Sequence, residues 1–155
     1  MTYYADLSPY EYADHDQPML NVGWLDHRYP FPTGLVEPDV VPRLLTLAAS
    51  HLRAVMRGVQ DCCFCGAEAP LQVPREGGPG YVWLGTGEIR VESQEGLLYA
   101  APSMICHYIE AHDYLPPQQF LDAVRTGCVG PPESYELRLF HPQVVARTAT
   151  GYRRR

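Results

Sequence analysis

The chain has 155 residues, 46% of them hydrophobic, with twelve basic residues that are all arginine against eighteen acids and a net charge of −6. That length fits one domain, the apolar content excludes global disorder, and fifteen prolines with thirteen glycines exclude a long helical bundle. An acidic body gains little from the nucleic-acid backbone, and no segment reaches the roughly 20 apolar residues that span a bilayer, so neither nucleic acid nor membrane is expected as a partner.

Residues 1–38 form an arm rich in aromatics and acids, with Tyr3, Tyr4, Tyr10, Tyr12, Trp24, Tyr29 and Phe31 set among turn residues. Its start, Met1-Thr2-Tyr3-Tyr4-Ala5-Asp6, lacks the basic and apolar parts of a signal peptide, so a cytoplasmic location is expected. Rings of this size belong to a cover laid over the core more readily than to a binding surface. Leu20-Asn21-Val22-Gly23-Trp24-Leu25 reads as a short strand, and Tyr29-Pro30-Phe31-Pro32-Thr33-Gly34 as a turn. The core occupies residues 39–127. Its clearest helix is expected over 40–57, capped by Asp39 and ended by Gly58, with Leu44, Leu45, Leu47, Ala48, Leu52, Val55 and Met56 in one stripe and His51 among them.

Short strands follow at Leu71-Gln72-Val73, Tyr81-Val82-Trp83-Leu84 and Glu88-Ile89-Arg90-Val91-Glu92. A turn at 93–96 then returns through Leu97-Leu98-Tyr99-Ala100. A second helix is expected from near Pro102-Ser103 to about His112, and a third with Pro117 in its first turn and Gly127 at its end. Residues 128–155 are expected to be loosely attached, with an edge strand at Tyr135-Glu136-Leu137-Arg138-Leu139-Phe140 and the basic end Arg153-Arg154-Arg155. The fold class that emerges is α+β: a small antiparallel sheet with about three helices and a zinc knuckle.

Asp61-Cys62-Cys63-Phe64-Cys65-Gly66 carries the strongest chemical signal. Cytoplasmic cysteines stay reduced, so metal binding or burial accounts for them better than disulfides. Cys62 and Cys65 have the spacing at which one tight turn brings two thiolates to zinc, and Gly66 supplies backbone freedom after the second. Zinc needs four ligands, and His107 and His112 have the separation seen in Cys2His2 sites. On an ideal helix that separation rotates the second ring by about 140°, so the pair converges only if the last turn loosens. The predicted ligand set is Cys62, Cys65, His107 and His112, with Cys106 as the substitute for a histidine. The redox reading of C-x-x-C is weaker, because Gly66-Ala67-Glu68-Ala69-Pro70 does not continue as a helix.

The knuckle, hairpin and helix together resemble a treble-clef zinc domain, whose helix supplies the second ligand pair. That resemblance departs from the family pattern at His112, which lies near the helix end rather than its start. More widely, the segments Tyr4 to Tyr12, Leu20 to Asp26, Pro30 to Gly34, the Cys62 to Cys65 turn and Tyr99 to Phe120 resemble a group of small uncharacterised bacterial proteins of actinobacterial type. The lysine-free composition agrees with the GC-rich codon usage of such genomes. The resemblance implies no activity and leaves the tail after Gly127 outside it.

Two functions are compatible with these residues. The first is a zinc-stabilised protein-binding module without catalytic activity, of a regulatory or immunity-like kind, whose acidic surface would steer toward a basic partner. The second is a small zinc-dependent hydrolase in which Cys62, Cys65 and His107 hold the metal and water takes the fourth position. Glu110 or Asp113 would then be the base. No glycine motif here has the lysine and spacing that cradle phosphates, since Gly77-Gly78-Pro79-Gly80 and Gly85-Thr86-Gly87 read as turns.

Overall fold

The computed structural model describes residues 2–12, 17–55 and 58–127. Strand β1 (Met19–Asn21) is followed by helix α1 (Val40–Ser50), then strands β2 (Leu71–Pro74), β3 (Tyr81–Leu84), β4 (Glu88–Glu92) and β5 (Leu98–Pro102), and helices α2 (Ile105–His112) and α3 (Gln118–Thr126). The fold is α+β, with three helices and two small sheets among the described residues. Apolar periodicity located most of these elements. No helix among the described residues is long and apolar enough to cross a membrane.

Alternation in β4 and β5 organises the core. Ile89 and Val91 of β4, with Tyr99 and Ala101 of β5, enter the main cluster alongside Leu44, Met104, Ile105 and Phe120. Burying such side chains is the principal stabilising contribution, about 1.5–3 kcal/mol for each large one. The intervening residues face the other way. Ala100 joins Tyr10, Met19 and Trp24 in a second cluster, and Glu88 meets the Tyr10 hydroxyl at 2.6 Å. The sheet is thus covered on one face by helices and on the other by the N-terminal arm. The Trp24 indole N–H donates to the Ala100 carbonyl, and the Tyr4 and Tyr12 rings pack on the same indole.

Three expectations differ from the structure. β1 is shorter than the apolar run suggested and lies parallel to β5, Met19 opposite Leu98, so the three-stranded sheet β1-β5-β4 is mixed; β2 and β3 pair separately and antiparallel. Gly23, at φ +74, turns the chain out of strand geometry just beyond. Helix α1 stops at Ser50 rather than near residue 57 because Arg53 exchanges two backbone hydrogen bonds with Glu88, at 2.7 and 2.9 Å. Those bonds compete with another helical turn. Gly58 therefore does not end α1, and Asp39 holds the N-cap position without a side-chain cap hydrogen bond: its carboxylate lies against Arg43 at 3.1 Å and Arg125 at 3.6 Å. The edge strand expected at 135–140, Cys128 and the arginine end lie outside the described residues.

Candidate metal centre

The knuckle closes on itself through backbone bonds. The Gly66 N–H donates to the Cys62 carbonyl and the Cys62 N–H to the Ala67 carbonyl, both at 2.9 Å. Gly66 has φ +71 with open space where a Cβ would stand, so its backbone conformation, not crowding, calls for glycine. Cys62 is 1% exposed and Cys65 lies at the surface. Burial pushes the Cys62 thiol pKa up, opposed by the N–H groups of Cys65 and Phe64 that point at its sulfur. Amides aimed at a sulfur favour the thiolate, the form a metal takes.

Helix α2 supplies the histidines, and its final turn answers the 140° problem. The Asp113 N–H bonds the Tyr108 carbonyl, five residues back, and Asp113 adopts a left-handed conformation at φ +53. An i→i−5 bond widens the turn in the manner of a π-helix, which brings residues five apart toward one side. Aspartate tolerates the left-handed region better than most residues. The turn is braced from outside: Gly34 N–H donates to the Asp113 carbonyl and Leu115 N–H to the Pro32 carbonyl, both at 2.9 Å. Tyr114 then donates its hydroxyl to the Asp6 carboxylate, which also accepts the Gly23 N–H at 2.8 Å.

The four predicted ligands meet. Cys62 Sγ is 3.2 Å from His112 Nε2, Cys65 Sγ is 3.4 Å from His107 Nε2, and the four donor atoms lie within 4.8 Å of one another. Zinc bound tetrahedrally at its usual bond lengths separates sulfur from nitrogen by about 3.6 Å, so this donor set fits such an ion. Burial lowers the His107 pKa, and neighbouring His112 lowers it further, favouring the neutral imidazole that ligates. Phe64 packs its ring 5.2 Å from that of His112 and 5.8 Å from that of Tyr108, walling the inner side.

Other candidates fall elsewhere. Cys106 is fully buried in the main core, where burial pushes its thiol pKa far up, and it does not join the cluster. His51 is half-buried with Ser50 Oγ 2.6 Å from its Nδ1. Glu110 and Asp113 are exposed residues near the end of α2. Sequence reasoning missed the brace at 32–34 and the Asp6–Tyr114 contact. The positive φ that Asp113 adopts left only a faint trace, an aspartate immediately after the last histidine.

No curated protein and no solved structure matches the chain. A family model does, over residues 2–125, from the N-terminal arm through the knuckle and α2 to the last turns of α3. The chain belongs to the family described as a domain of unknown function, DUF7919.

Proposed function

We propose that Cys62, Cys65, His107 and His112 hold one structural zinc ion, and that the protein is a zinc-stabilised module that binds another protein. The observation that carries the reading is the four-donor set at near-tetrahedral spacing. Four protein ligands fill the coordination sphere of zinc, whereas a hydrolytic site keeps one position for water. The mixed sulfur and nitrogen set favours zinc over the hard cations, which take oxygen. Two thiolates held side by side repel each other, and a divalent cation relieves that repulsion.

The partner reading rests on charge. Residues 1–127 hold seven arginines against sixteen acids, a net charge of −9, which favours basic proteins and disfavours nucleic acid. Elemental analysis of purified protein should find close to one zinc per chain. Cys65→Ser should lose the ion and melt lower by roughly 5 °C or more. Metal-free wild-type protein with an unchanged melting point would sink the reading.

A further inference from the structure

A groove of about 310 Å³ lies on the surface between the 34–38 loop, the start of α1 and the end of α2. Val41 and Ile109 contribute apolar wall, and Glu37, Glu110 and Asp113 contribute carboxylates. Leu35, also lining it, is 94% exposed. A leucine that open to water is unremarkable on a floppy loop, but this loop is held. Gly34 is bonded to Asp113, Pro32 to Leu115, and Val40 N–H to the Glu37 carbonyl at 3.1 Å. Phe31 adds ring contacts to Phe64 and Tyr114. An apolar side chain presented on a pre-ordered loop beside a groove loses little freedom when it is covered.

The charges select the occupant. Glu37 is engaged by Arg125 at 2.6 Å, whereas neither Glu110 nor Asp113 makes an ion pair among the described residues. We infer that this groove is the docking surface for a basic segment of another protein, in which an apolar residue flanked by arginine or lysine covers Leu35 while the cations meet Glu110 and Asp113. The inference deepens the protein-binding reading above and rests on it. It also gives the metal a purpose at a distance, since His112 and Asp113 share the widened turn whose far side forms the groove wall.

The test uses fluorescent nonapeptides with a central leucine flanked by arginines, and glutamate-for-arginine counterparts, titrated into full-length zinc-loaded protein by anisotropy. The arginine peptides should bind and the glutamate peptides should not. Leu35→Asp and Glu110→Lys should each weaken binding about tenfold or more, while Glu95→Lys, on the turn between β4 and β5, should leave it within about twofold. Circular dichroism and zinc content show whether each variant is folded. Equal loss in Glu110→Lys and Glu95→Lys, with none in Leu35→Asp, would mean attraction to net charge alone and would overturn the groove, as would no binding. Should deletion of residues 128–155 tighten peptide binding, and that segment as a separate peptide compete, the occupant is the chain's own basic tail and the partner proposal fails. Zinc analysis of the same samples separates the two readings. One zinc per chain without groove-dependent binding sinks this inference alone, and groove-dependent binding by wild-type protein that purifies without zinc sinks the zinc reading instead.

Discussion

At the scale of single residues, buried carboxylates show how position sets charge. Asp26 is almost wholly buried, and its two oxygens take the Arg28 N–H, Nε and Nη2 at 2.9, 2.8 and 3.0 Å. The Arg28 side chain holds the Asp26 carboxyl well below the usual carboxylate range. A carboxyl with a depressed folded pKa contributes stability above its unfolded pKa of about 3.9, and that contribution is lost as pH falls through the folded value. Asp26→Asn should therefore lower the urea midpoint at pH 7, with the gap to wild type closing as pH drops below about 4. A gap independent of pH would show that packing, not charge, gives Asp26 its worth. Asp6 behaves oppositely, since burial raises its pKa and the Gly23 and Tyr114 donors only partly offset this.

At the scale of elements, what could be read from the sequence was what is local. The edges of β3 and β4, the C-terminal end of α2, the ends of α3 and the turn between β4 and β5 follow from period and turn chemistry, whereas α2 starts at Ile105 rather than near Pro102-Ser103 because Pro102 still belongs to β5. The early end of α1 did not, because the apolar stripe continues through Leu52 while the backbone of Arg53 is captured by Glu88, 35 residues further on. Nor could an apolar run announce that β1 would pair parallel with β5. The four candidate ligands were legible from spacing, and the angular mismatch of His107 and His112 even indicated a loosened turn. Its i→i−5 form and its brace from Pro32 and Gly34 were not, since they depend on contacts about 80 residues apart in the chain. If zinc holds that turn open, chelation should speed hydrogen exchange at the Asp113 and Tyr114 amides by roughly tenfold or more, with the β4–β5 amides far less affected. Unchanged protection after complete zinc removal would mean that the brace alone suffices.

At the scale of the whole molecule, distant parts of the chain meet in a few polar contacts. Cys62 and Cys65 face histidines 50 and 42 residues away, and the Tyr10 hydroxyl reaches Glu88 across the sheet, 78 residues on. Glu88 is 1% exposed, and its other oxygen takes Arg90 Nε at 2.7 Å. Removing one donor from a buried carboxylate leaves part of its desolvation uncompensated, so Tyr10→Phe should destabilise the fold by about 1–3 kcal/mol, measured by denaturant unfolding. A cost near zero would show that Arg90 alone satisfies the carboxylate.

The parallel pairing of β1 with β5 also has a temporal side. Met19 lies opposite Leu98, so the first strand cannot find its neighbour until 79 more residues have been joined to it. At a synthesis rate of about 5–20 residues per second that is a wait of roughly 4–16 s, far longer than a hairpin needs to form. During translation the Tyr10 and Trp24 rings therefore wait without the sheet that later covers them, in a segment to which the acids at positions 6, 11, 14 and 16 give a negative charge, and like charge opposes self-association.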